Sequence, residues 1–219
     1  MTLIKRLLFI SVFVGFSIGS FLVLADEPNL NNPSEKYLFM LVEHFQKEEQ
    51  KFKEINKRDM SSQDWLNYAN KIIPVTISLP PGAKEENKKI RIKSITLAIA
   101  YGFYGFGYEN NKNIRSIEIK CQIDDPYAPP LAQGESHMEG NKLSMACPGK
   151  GTSGEIFNVV LHEMIHNYEG ITQEREDLVH AKVRRNLPFL VSQPSQGNWP
   201  MPCRLFGEPK LSTPGGPFQ

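Results

Sequence analysis

The stretch from Thr152 to Gly170 restricts the fold more than any other, because it carries both ends of a helix and its buried face. Thr152-Ser153-Gly154-Glu155 has the form of a capping box, with a Thr oxygen at the N-cap and a Glu three residues on that reaches back. Ile156, Val159, Val160 and Ile165 (or Met164) then recur at helical spacing. Gly170 supplies the stop, since glycine adopts the left-handed C-cap conformation without strain. Beyond it, Thr172 is a second N-cap candidate. Acids at Glu174, Glu176 and Asp177 fill a first turn, Arg184 and Arg185 stand in a last turn, and Pro188 ends the segment. Two consecutive helices joined by so tight a link are expected to pack closely.

The first helix reads His162-Glu163-Met164-Ile165-His166. Histidines four residues apart lie on one face, one turn apart. Their imidazole nitrogens can share a tetrahedral Zn²⁺ and leave room for a third ligand and a water. Glu163 is rotated by about 100° from His162, so it is badly placed to ligate the same ion but well placed to reach that water. Zinc brings the pKa of a bound water to about 7, where a carboxylate can take its proton at neutral pH. That chemistry hydrolyses peptide bonds.

With these residues in place, the chain resembles the zincin metallopeptidases. The likeness covers the motif helix and the segment after it. It implies an α+β fold with a small mixed or antiparallel sheet, N-terminal helices, and a motif helix followed by a second, ligand-bearing helix. It implies one Zn²⁺ and a peptide or protein substrate. In the glutamate-ligand branch of that group the third ligand is a Glu on a downstream helix, and Glu174, Glu176, Asp177 and His180 are all within reach. Val179, Val183 and Leu187 form the apolar stripe that faces the protein. Glu176 and His180 fall beside it, whereas Glu174 and Asp177 point away. The expected ligands are therefore His162, His166 and Glu176, with Glu163 as general base and His180 beside the site as stabiliser. Exchanging Glu176 and His180 is the alternative. His180, Tyr168 or Arg175 could donate to an oxyanion. Two departures stand out: Glu169 and Thr172 occupy the positions of the metzincin Gly and third His, and the interval from His166 to Glu176 is shorter than in many glutamate zincins.

Taken in order, residues 1–25 read as a signal peptide, with Lys5-Arg6, an apolar run from Leu7 to Leu24, and a small-residue cleavage site before Asp26. An uncleaved anchor, the one route to a membrane, is the alternative. Residues 26–187 read as the metallopeptidase domain and 188–219 as a Pro/Gly-rich tail held in places, by Trp199 and Phe206. Helices are expected from Pro33 to about Lys57, with Leu38, Leu41, Phe45, Phe52 and Ile55 buried and His44 at the surface, and from Gln63 to Ile73. Strands are expected at Pro74–Leu79, Ile90–Ala100, Ile117–Ile123 and Asn141–Cys147. Asp124 to Gly140, with His137, reads as a loop. Tyr101 to Tyr108 reads as a bulged strand end or loop, or as a groove wall. The resemblance to zincins implies an antiparallel edge strand before the motif helix, with which an extended substrate could pair, and Asn141–Cys147 is the candidate.

A formal net charge of +1 leaves no basic excess to neutralise phosphates, which argues against nucleic-acid binding. Cys121 and Cys147 fall on apolar strand faces, so a disulfide between them fits an exported protein; Cys147–Cys203 is the other pairing. Two rival functions remain open: a secreted or envelope binding protein on a zincin scaffold, and a zinc hydrolase of a non-peptide amide.

Overall fold

The computed structural model describes residues 31–79, 81–121, 135–147, 152–188 and 205–206. These residues form an α+β fold of five α-helices and one four-stranded mixed sheet. Helix α1 spans Pro33–Asn56, α2 Ser62–Ala69, α3 Glu85–Ala100, α4 Ser153–Glu169 and α5 Glu176–Asn186. Strands β1 (Val75–Ser78), β2 (Ser116–Cys121), β3 (Glu135–Glu139) and β4 (Lys142–Cys147) lie in the order β1-β2-β4-β3. β1, β2 and β4 are mutually parallel, and β3 runs antiparallel to β4.

Alternation along the strands decides the layering. Val75, Ile117, Ile119, Cys121, Leu143, Met145 and Cys147 are all buried on one face. On the other face the Lys142 ammonium pairs with Glu118 at 2.8 Å and Glu139 at 2.7 Å. The apolar face receives α4, which also packs on α3, and α3 in turn packs on α2. Cys121 and Cys147 are register partners across β2 and β4 and are joined as a disulfide, with Cα atoms 4.4 Å apart. Cys203 lies outside the described residues.

Segment Ile90–Ala100 departs from the sequence expectation: it is a helix, not a strand. Every residue of α3 from Ile92 to Ala100 is buried. A helix covered on all sides has no polar face and hence no 3.6-residue pattern to betray it. Its β-branched content therefore mimics a strand, and tertiary packing overrides propensity. Ser94 and Thr96 hydroxyls return to the carbonyls of Ile90 and Ile92 at 2.8 and 2.6 Å. The charged segment before it is the first turn of this helix, where the Glu85 carboxylate accepts from the Ser62 N–H at 2.8 Å.

The aromatic stretch that follows is not a strand end. Tyr101–Gly105 continues α3 as a π-helical turn and Tyr108–Asn110 forms a 3₁₀ turn, with Tyr101, Phe103 and Tyr108 buried. Gly102 lies close against α4: a Cβ there would lie 2.6 Å from the Met164 Cε, the flexible end of a side chain that would have to shift. In α1, Leu38, Val42 and Phe45 are buried, but Ile55 is 69 % exposed because the last turns run past the core.

The sheet edge also differs from expectation. Asn141–Cys147 falls on β4, which is interior; the edges are β1 and β3, and β3 holds His137 in a strand rather than a loop. Gly140, at φ 62°, opens the short turn that folds β3 back onto β4. Among the described residues no helix is long and apolar enough to cross a membrane. The leader at residues 1–25 and Trp199 lie outside those residues. Of the tail, Leu205 donates its N–H to Ser153 Oγ at 2.8 Å, and the Phe206 ring lies 4.1 Å from the Lys93 ammonium.

Candidate metal centre

Helix α4 begins and ends where its sequence says it should. Thr152 Oγ1 accepts from the Glu155 N–H, the Glu155 carboxylate accepts from the Thr152 N–H, and Gly170 closes the helix at φ 65°. Nearly all of α4 is buried, including His162 (5 % exposed), Glu163 (3 %) and His166 (4 %), which is far too deep for these polar groups to be solvated face residues. Groups so buried need partners.

Those partners come from α5 and β3. After Gly170 the chain makes the 3₁₀ turn Gln173–Arg175 and enters α5, with Val179, Val183 and Leu187 buried against the core. The turn starts at Thr172, whose side chain makes no capping bond. This places Glu176 over the histidines. Its Oε2 is 2.7 Å from His166 Nε2 and 3.1 Å from His162 Nε2, and the two Nε2 atoms are 3.2 Å apart. A tetrahedral ion with bonds of about 2.0–2.1 Å holds its donors about 3.3 Å apart, so this spacing is close to that of one coordination face.

Proton positions strengthen the point. His166 Nδ1 lies 2.9 Å from the Ile171 carbonyl oxygen, which can only accept, so Nδ1 carries a proton. In the neutral ring Nε2 is then a bare lone pair aimed at a carboxylate. A cation between them, a metal ion or a proton, resolves that opposition, and a backbone-anchored Nδ1–H is the usual support of a ligating histidine. Burial is the main reason the His162 pKa falls, to about 4. Glu176 opposes the shift, while His166 and His180 add to it. His180 is also lowered, first by burial. Rings kept neutral are in the form that binds a metal.

His180 completes the cluster. Its ring is 5.1 Å from that of His162, and a nitrogen of each with a carboxylate oxygen of Glu176 all lie within 4.8 Å of one another. His162, Glu176 and His180 form a group that could hold a metal ion. Two overlapping donor triads therefore share His162 and Glu176, one closed by His166 and the other by His180. The His166 triad is the tighter, and its third member is the more deeply buried.

The other candidates are elsewhere. Tyr168 stacks on Tyr108 at 4.5 Å and meets Phe103 edge-on at 5.9 Å, which places its ring in the aromatic core. Arg175 is exposed and lies 3.5 Å from Asp177, and Glu174 is exposed as well. His137 is exposed against Glu139 at 2.9 Å, and His44 bonds the Tyr68 hydroxyl at 2.9 Å.

Two residues at the site were not singled out from the sequence. Ser136, on β3, donates to Glu163 Oε2 at 2.5 Å, and Asn167 donates to Ser136 Oγ at 2.7 Å and to the Glu163 carbonyl at 2.8 Å. The available signals were slight: Gly140-Asn141 as a hairpin turn, which would make Ser136 and Met138 share a strand face, and Asn167 one helical turn after Glu163. Comparison of the chain with protein-family models, with curated proteins and with solved structures finds no match in any of the three.

Proposed function

We propose that the protein is an exported zinc-dependent peptidase. The observation that carries the reading is the convergence of His162 Nε2, His166 Nε2 and Glu176 Oε2 within 3.2 Å of one another, beside a buried Glu163. His162, His166 and Glu176 would hold the ion, and the resemblance to zincins, which rests on the motif, supplies its identity as zinc. When bound, zinc would polarise a scissile carbonyl and acidify water. Glu163 takes the proton of the attacking water and passes it to the leaving amine. Ile171 holds the His166 tautomer through its carbonyl. His180, partly exposed, is the one of the three candidate donors to an oxyanion that lies beside the histidines. The Cys121–Cys147 disulfide accords with export.

His180 also favours a second reading. If it joins the other three donors the coordination is closed, and a closed site is structural. A binding protein on the same scaffold would follow. Elemental analysis of wild type beside His166→Ala, followed by digestion of a peptide library, tests both. About one zinc per chain in the wild type and none in the variant, with cleavage abolished by Glu163→Gln, supports the peptidase. Zinc without cleavage, retained when Glu163 is changed, supports the closed site. A folded protein without zinc in either form would refute both.

A further inference from the structure

We propose that Ser136 is a positioning residue for Glu163, an inference that rests on Glu163 being the general base. The direction of the hydrogen bonds is settled by the donors available. The Glu163 carbonyl oxygen can only accept, so it is the amide nitrogen of Asn167 that faces it, at 2.8 Å. That same nitrogen faces Ser136 Oγ at 2.7 Å, so both N–H groups of the amide are committed and the serine oxygen accepts. The single hydroxyl proton of Ser136 is thereby turned to Glu163 Oε2, 2.5 Å away. The chain Asn167 N–H to Ser136 O–H to Glu163 carboxylate runs one way only.

Such a chain does what a carboxylate base needs. The terminal torsion of Glu is broad and two-fold, so without a partner the group samples many orientations. A general base must stay within about 2.6–3.2 Å of the proton it removes. Asn167 lies on the same helix as Glu163, one turn on, and Ser136 on the edge strand beside it. The carboxylate is thus held between two elements rather than by its own helix alone. Hydrogen bonds to charged groups are the stronger kind, and here the carboxylate end is buried while Ser136 is half-buried.

The test uses the full chain loaded with zinc and acetohydroxamate as probe, because a hydroxamate offers a proton to the base while it binds the ion. Affinity is measured for wild type, Ser136→Ala, Ser136→Thr, Glu163→Gln and the Ser136→Ala/Glu163→Gln pair, with zinc content as control; kcat and KM on a quenched peptide library are read in parallel. A hydrogen bond to a charged group predicts a loss of about tenfold or more in Ser136→Ala, in kcat rather than KM. The Thr variant should keep wild-type affinity within about threefold, and the Ala change should add less than about twofold once Glu163 is Gln. Zinc content should stay at about one per chain. Should Ser136→Ala not fold, Asn167→Ala should show a smaller loss of the same sign. Wild-type affinity in Ser136→Ala, or an equal loss in the Gln background, overturns the proposal and leaves Glu163 as base. Affinity and turnover unchanged by Glu163→Gln overturn the underlying reading, and this one with it.

Discussion

Removing the Cys121–Cys147 cross-link should destabilise the fold by an amount its loop predicts. The bridge closes a sequence separation of 26 residues between neighbouring parallel strands. The chain-entropy relation, 2.1 + 1.5R ln n, then gives about 3.5 kcal/mol at 25 °C. Reduction is the cleaner perturbation, because both sulfurs stay in the core. A Cys121→Ala/Cys147→Ala pair also loses buried sulfur and should cost about 1–2 kcal/mol more. The assay is urea unfolding of metal-free protein, oxidised and reduced, followed by circular dichroism. With a slope of about 2 kcal/mol/M, the midpoint should fall by about 1.5–2 M on reduction. A fall of less than about 0.5 M, with both thiols shown to be free, would refute the loop-closure argument.

Two further outcomes concern the metal centre. Glu176→Ala should weaken zinc binding at least about tenfold more than Glu174→Ala does, read by competition with a chromogenic chelator; the reverse order would reassign the ligand. In metal-free protein His162 titrates near 4 when folded and near 6.5 when unfolded. The unfolded chain therefore takes up the proton first. Its effect on stability is nil above pH 6.5 and grows to a loss of about 3 kcal/mol as pH falls through 4. Urea midpoints measured from pH 7.5 to 4 should show that decline, and His162→Gln should flatten it.

The helix pair at the site was legible because its signals are local. The Thr152–Glu155 box, the Gly170 stop and the Val179–Val183–Leu187 stripe each act within a few residues, and each is found as read. The resemblance calls for a downstream ligand, and that stripe picks Glu176 and His180 from the candidates. Where the sequence misled, the determinant was distant. Ile90–Ala100 looked like a strand because its neighbours bury every face of it. The resemblance to zincins implies an edge at Asn141–Cys147, and the strand that covers it comes from a segment that reads as loop. For Ser136 the local signals reach no further than a strand face: its contact depends on β3 meeting α4, and nothing about a serine in sequence announces which carboxylate it will face.

Among the described residues, the cluster that could hold a metal falls between His162 and His180, so bringing those donors together closes only short loops. The entropic cost of closure grows slowly with loop length and is small here. Ion capture therefore needs little more than the two helices and their Gly170 link, and can come early in folding. Ser136 reaches Glu163 from 27 residues away in sequence, on a strand that exists only once the β3–β4 hairpin has formed and docked. On the proposed reading, metal uptake and readiness of the base would in this sense be separate events, the second waiting on the sheet. A partly folded molecule would hold its ion before it could use it.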